Sequence, residues 1–193
     1  AEQQHRHADD GADFPSITIS GGHINFCVDE QGRRRDITSQ NAVNDDEWHH
    51  VAGTIEGRTW RLYVDGELDG QLNNDFNLGG SNYNLHFGHH GAWRVYYPGS
   101  MDEVRIWLAT RTADEIADNR SVMLRGDEED LYAYWNFDEG EGQALEDLTG
   151  HGHDGVLGAN NQQANDDPRW VESGAPIFGG SLALDRDHIA FPP

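Results

Sequence analysis

The chain has 193 residues, a mass of 21.6 kDa and a formal net charge of −22 at pH 7. Its 13 basic side chains are all arginine and are set against 35 acids, so nucleic acid and anionic membranes are poor partners, because phosphate would be repelled. One domain, or one and a fragment, is expected, long enough to bury a core without covalent staples.

Twenty-three glycines, with six Trp, six Tyr and seven Phe spread along the chain, suit an all-β domain better than a helical one. Acid excess without lysine favours a solvated high-salt surface over two other readings, a calcium-rich extracellular setting and a plain solubility device. No signal peptide or membrane span is read in the chain, no membrane insertion is expected, and Ala1 would suit a terminus exposed by processing.

Residues 1–15 are polar, contain His5 and His7, and predict a flexible arm; two histidines without partners make a weak metal site. Residues 17–20 and 23–29 predict a hairpin about Gly21-Gly22, with Ile24, Phe26 and Val28 on one face. Cys27 is the only cysteine, which excludes an intrachain disulfide, and is expected as a small buried hydrophobe. Arg33-Arg34-Arg35 is expected as a solvated turn that neutralises nearby carboxylates. After the acidic turn at 44–47, residues 48–54 carry apolar side chains on both faces and predict a central strand buried on two sides. Trp60, Leu62 and Val64 alternate with Arg61, Tyr63 and Asp65, and Asp65-Gly66 predicts a tight turn into residues 67–72.

Residues 85–88 predict a further strand, opening into a loop at 89–97. His89, His90, Trp93 and Tyr96 in that loop are candidate ligand-binding residues, since aromatic side chains exposed on loops are frequent recognition elements. The alternative is that Tyr97 packs inward and the others decorate a rim. The stretch Gly99–Trp107 predicts a strand in which Val104 and Ile106 share one face with Asp102, while Glu103 and Arg105 point the other way. A core-facing carboxylate at Asp102 is costly unless a cation or several donors satisfy it. Thr112 and Glu115 form a capping box that starts a short helix. Beyond an acidic linker at 126–130 come a strand at 131–137, a glycine-rich loop at 147–155, and a last strand pair at 181–185 and 188–191.

The Trp-His-His-Val-Ala run at 48–52, the Leu-Tyr-Val-Asp-Gly turn at 62–66, the Gly-Ser-Met-Asp-Glu-Val-Arg-Ile-Trp strand and its capped helix closely resemble the end of a laminin-G-like domain of the concanavalin A-like superfamily. Tyr-Trp-Asn-Phe-Asp at 134–138, the loop from Asp147 and the strands at 181–191 resemble the opening of the same domain. The order is therefore reversed. Residues 16–126 look like the closing strands and 127–193 like the opening ones, and the aromatic strand that usually joins the halves is absent. The resemblance implies an all-β jelly-roll sandwich of two antiparallel sheets with one short helix after the Gly99–Trp107 strand. It is completed either by circular permutation within the chain or by strand donation between chains.

Because the resemblance makes the residues 49–50 strand framework, His49-His50 is not expected to be catalytic or metal-binding. Laminarinase- and agarase-type enzymes of this fold carry a Glu-x-Asp-x-x-Glu strand, whose alternate carboxylates face the scissile bond. No such run occurs, and Asp102-Glu103 sends adjacent carboxylates to opposite faces. The resemblance implies a structural calcium at Asp102, with Asp185 and Asp187 as second ligands. Asp147 and Asp154, in a loop rich in backbone carbonyls, form a separate candidate; the alternative is that these aspartates cap turns or solvate the surface. The expectation is a secreted, non-catalytic module, extracellular or at the cell surface, that binds a glycan or an extracellular protein and holds calcium. Its rivals are a structural subunit of an extracellular fibre or surface assembly that self-associates by strand exchange, and a glycoside-active enzyme.

Overall fold

The computed structural model describes residues 15–30, 33–73, 75, 84–90, 95–158, 167–177 and 187–190. His5, His7, Trp93, Asp185 and the expected strand at 181–185 lie outside them, and for His89, His90 and Asp187 only the backbone is described. The chain is mostly β, with several antiparallel sheets and one short helix, as expected for a concanavalin A-like sandwich. It divides into two compact units, residues 1–85 with 112–117, and residues 86–111 with 118–193. The expected boundary at 126/127 thus falls inside the second unit, because strands on either side of it pair with each other.

The first unit is built from two three-stranded sheets. In one, β1 (Pro15–Ser20), β2 (His23–Glu30) and β3 (Arg33–Thr38) run in sequence order. Gly21 and Gly22 both have positive φ and close the first hairpin with Ser20 opposite His23, the backbone that a two-residue turn requires. The arginine run is a strand and not the expected turn: Arg33 and Arg34 lie in register with Glu30 and Asp29 of β2. In the second sheet, β4 (Val51–Glu56), β5 (Thr59–Val64) and β6 (Glu67–Asn73) are joined by the expected Asp65-Gly66 turn.

Among the described residues it is β5, and not the strand at 51–56, that is central. The apolar content of residues 48–54 reported burial but could not report which neighbours supply it. Ile24, Phe26, Val28 and Ile37 of one sheet pack with Trp60 and Leu62 of the other into a single core. Cys27 is buried as expected. At the helix start, α1 (Ala113–Asn119, following β10 below), the expected capping box is present: the Glu115 amide donates to Thr112 Oγ1 at 3.2 Å and the Thr112 amide to Glu115 Oε2 at 2.8 Å.

The second unit opens with β7 (His89–His90) and β8 (Val95–Tyr96), a short ladder where an open loop was expected. Next come β9 (Ser100–Met101) and β10 (Val104–Trp107). The expected continuous strand is broken at Asp102-Glu103, where Glu103 takes a φ of +54°. From there β10 pairs with β11 (Leu131–Trp135), and β12 (Ala144–Leu145) pairs with β13 (Gly155–Val156). β14 (Arg169–Glu172), which the sequence reading did not foresee, pairs with β15 (Asp187–Ala190), and β15 pairs with β9. Ala133, Trp135, Phe137, Leu145 and Leu157 form the main core, against which Val104 and Ile106 pack. Tyr134, on the opposite face of β11, is buried with Leu124 and Leu131.

In the first unit an added Cβ at Gly53 would lie 2.8 Å from the Phe26 ring. Gly53→Ala is expected to destabilise the fold by about 1–3 kcal/mol through overpacking, outweighing the ~0.4–1 kcal/mol that Gly→Ala gains from the unfolded chain. A urea unfolding midpoint equal to wild type would contradict this packing.

Candidate functional site

The first candidate is a groove of about 400 Å³ in the first unit, lined among others by Gln40, Val43, Asp45, His49, Asp65 and Asp69. Three separate segments form it, and polar bonds hold them. The Gln40 amide donates to Asp69 Oδ2 at 2.8 Å and its side chain Nε2 to the Asp69 carbonyl at 2.6 Å. The His50 amide donates to Asp65 Oδ1 at 3.0 Å. His49 bridges the other side, with Nδ1 2.9 Å from Asp65 Oδ2 and Nε2 3.0 Å from Asp45 Oδ1.

Burial alone would lower the His49 pKa, but its hydrogen bonds to Asp65 and Asp45 outweigh that and hold it above the ordinary value. The His49 hydrogen bond, with that of the Glu47 backbone, holds the Asp45 carboxyl below its usual range. His49 is thus a clamp; it lies ahead of β4 and not within a strand, and it also lines the groove. Val43, Val64 and half-exposed Leu68 add an apolar surface beside these acceptors. Such a cleft can accept hydrogen bonds from hydroxyl groups while covering an apolar face. The sequence signals for it were Asp45 four residues before His49 and the Asp65 of the tight turn.

Asp102, the first expected metal ligand, reaches out of the break between β9 and β10. Its Oδ2 accepts from Ser173 Oγ at 2.7 Å. Burial pushes its pKa up to about 7; the Ser173 bond opposes this, and the charges of Glu103 and Asp138 add to it. Burial also raises Glu139. The ladder registers Ile189↔Met101 and Glu172↔Asp187 bring the backbone of Asp187 alongside the 102–103 break, near Ser173. The carboxylate and hydroxyl here are hard oxygens beside an under-compensated charge. Among the described residues, however, no group of three or more His, Cys, Asp or Glu is arranged to hold a metal.

Asp147 is organised differently. Its Oδ1 accepts from the Tyr134 and Thr149 amides and from Thr149 Oγ1, and its Oδ2 from the amide and Nδ1 of His153. Burial would raise its pKa, but these bonds prevail and hold it well below the usual carboxylate range. Protein donors satisfy this carboxylate. Asp154 Oδ1 in turn accepts from the Asp147 amide at 2.9 Å, so the pair closes a loop. In the expected ligand loop the ladder sets His89 opposite Tyr96, and Tyr96 is exposed. The sequence reading overlooked a buried cluster: Glu103 accepts from Arg105 Nη2 at 2.6 Å, and both its oxygens lie 2.9 Å from the Tyr134 hydroxyl.

The family model Laminin_G_3, of the concanavalin A-like lectin/glucanases superfamily, matches residues 2–117. A crystal structure from Bacteroides ovatus, provisionally assigned to carbohydrate binding, superposes with a TM-score of 0.56 at 22% identity. The match covers 73% of this chain and 43% of the other, so the chain spans less than half the length of that structure. A segment of an S-layer domain-containing protein from Clostridium thermocellum matches at 24% identity with a TM-score of 0.33, over 63% of this chain and 69% of that one. At these identities the first likeness bears on the fold alone.

The raised Asp102 pKa has a sign that can be tested. The folded state binds a proton that the unfolded chain, with a value of 3.8, gives up earlier. This contribution to stability is therefore full at low pH, falls as pH rises from about 4 to about 7, and is flat above. In chelator, Asp102→Asn is expected to melt higher than wild type at pH 8, with the gap closing toward pH 5. Melting curves that keep a constant gap across that range would contradict the assignment.

Proposed function

Because this chain belongs to the laminin-G-like family of the concanavalin A-like lectin/glucanases superfamily, we propose that it is a non-catalytic carbohydrate-binding module working outside the cell or at its surface. The observation that carries the reading is the preformed groove between the 40–49 segment and the Asp65 hairpin. Fixed carboxylate and amide groups stand there beside Val64 and Leu68, a pairing suited to sugar hydroxyls and to the apolar face of a sugar ring. Asp45 and Asp65 are both committed to His49, which favours recognition over acid–nucleophile chemistry. With Asp45, Asp65, Glu67 and Asp69 around it, the groove favours neutral glycans over uronates or sulfated ones. No helix among the described residues is long and apolar enough to cross a membrane. The net charge of −22 without lysine extends the proposal to a high-salt setting.

The proposal includes a structural calcium at Asp102, completed by Asp187, whose strand runs beside the 102–103 break. The charge left under-compensated at Asp102 supports it.

Glycan arrays carrying neutral, uronate and sulfated oligosaccharides test the first proposal. Wild type is expected to bind neutral glycans selectively, and Ala42→Trp, which fills the groove from its lining, is expected to weaken that binding at least tenfold while leaving the melting temperature near wild type. Binding confined to sulfated glycans, or none at all, would overturn it. For the calcium, thermal melts at pH 8 are expected to rise in calcium and fall in chelator for wild type, at about 2.7 kcal/mol for a hundredfold excess over Kd. Asp102→Asn is expected to lose the response; an unchanged wild-type melt would remove calcium from the reading.

A further inference from the structure

We propose that His151 and His153 form a second, independent site, one that binds a borderline divalent ion such as zinc, copper(II) or nickel. The site lies in the 147–155 loop, where Gly150 and Gly152 both take positive φ, so the intervening and following imidazoles can turn to the same side. Their ring centroids lie 6.2 Å apart.

The tautomers follow from the partners. His153 Nδ1 is 2.9 Å from Asp147 Oδ2, a carboxylate whose side chain is fully buried. His151 Nδ1 is 3.0 Å from the Tyr132 carbonyl oxygen. Both partners can only accept, so both Nδ1 atoms carry the hydrogen. In the neutral ring each Nε2 then keeps its lone pair, and neither Nε2 meets a protein partner among the described residues. An imidazole fixed through Nδ1 by a carboxylate or a backbone carbonyl, with Nε2 free, is the outer-shell arrangement that orients histidine ligands toward metals.

Rigidity adds to this. The His153 ring packs on Tyr132 with centroids 4.3 Å apart, and its own carbonyl accepts from Trp135 Nε1 at 3.1 Å. His151 is the exposed member. With metal–nitrogen bonds of about 2.0–2.1 Å, one ion spans two rings with centroids up to roughly 6 Å apart, so a small rotation of His151 closes the pair. Since no larger ligand group exists among the described residues, solvent completes the shell. Two imidazole nitrogens select zinc, copper and nickel and give little to calcium or magnesium, which want oxygen. Asp147, expected from the sequence as a calcium ligand, acts here as the group that orients one.

The test is titration of the purified full chain with zinc, nickel or calcium alone, followed by calorimetry and by histidine side-chain NMR. The chain has 11 histidines, so the readout must be site-resolved. Substoichiometric zinc is expected to shift the His151 and His153 Nε2 resonances first. The double variant His151→Ala, His153→Ala is expected to bind the first zinc equivalent at least tenfold more weakly. His151→Ala alone, which leaves the Asp147 hydrogen bonds in place, is expected to show the same loss with an unchanged metal-free melt. Calcium is expected to leave both resonances unmoved. First-equivalent zinc binding of unchanged affinity in the double variant, no zinc binding by wild type, or calcium moving the same resonances would each overturn the proposal.

Discussion

The second unit depends on where the Glu103 carboxylate goes. This side chain is nearly buried, and a buried carboxylate is tolerable only with donors around it. Arg105 and the Tyr134 hydroxyl supply them. Burial, with the Glu103 charge and hydrogen bond next, keeps the Tyr134 proton far above the ordinary phenol range, so the hydroxyl remains a donor. Arg105 also donates to the Asn119 and Val122 carbonyls, which ties the segment after the helix to the same point. To reach this cluster Glu103 adopts a left-handed backbone, an unusual conformation for a residue with a Cβ. That local cost divides one strand into two, sending β9 to β15 and β10 to β11.

Three aspartates show how the same side chain acquires different roles. Asp147 is surrounded by amide, hydroxyl and imidazole donors and remains ionised as a scaffold. Asp65 shares its oxygens between the His50 amide and the His49 ring, and so it shapes the groove wall while staying half in water. Among the described residues Asp102 accepts a side-chain hydrogen bond from Ser173, and it faces the like charges of Glu103 and Asp138. Of the three it is the one whose charge the protein leaves under-compensated, and only there does a cation have something to add.

What the sequence disclosed divides along the range of the interactions involved. The Gly21-Gly22 and Asp65-Gly66 turns and the Thr112–Glu115 box were legible because their chemistry is complete within four residues. Alternation identified Ile24, Phe26, Val28, Trp60 and Leu62 as core, because a face is a property of one strand. It does not identify neighbours, so it cannot show that β4 lies beside β5 and not at the centre of its sheet, or that the arginine run is a strand. Parity predicts an unbroken strand here, but the break at Asp102-Glu103 turns on a single positive φ that no glycine announces. Arg169–Glu172 is four residues long between Asp167-Pro168 and Ser173-Gly174, too short for a pattern. The groove is legible only in the Asp45–His49 spacing and the Asp65 turn, because Gln40, His49 and Asp69 meet through tertiary structure and each alone reads as an exposed polar residue.

The excess of acid bears on how the candidate sites can be selective. A net charge of −22 places most of the surface in a negative potential, and any cation is concentrated near it, over roughly 10 Å at 0.1 M salt. Attraction of that kind does not discriminate between ions or between positions. Discrimination has to come from donor chemistry and from groups fixed before the ligand arrives. In the two proposed metal sites, oxygen donors at Asp102 suit hard ions and the two imidazoles at 151 and 153 suit borderline ones. The groove answers to neither, because Asp45, Asp65 and Asp69 are already engaged by His49, His50 and Gln40; what they have left to offer is acceptance of hydrogen bonds. In the proposed glycan-binding role, the same acidity that draws cations toward the protein turns this cleft away from anionic sugars and toward neutral ones.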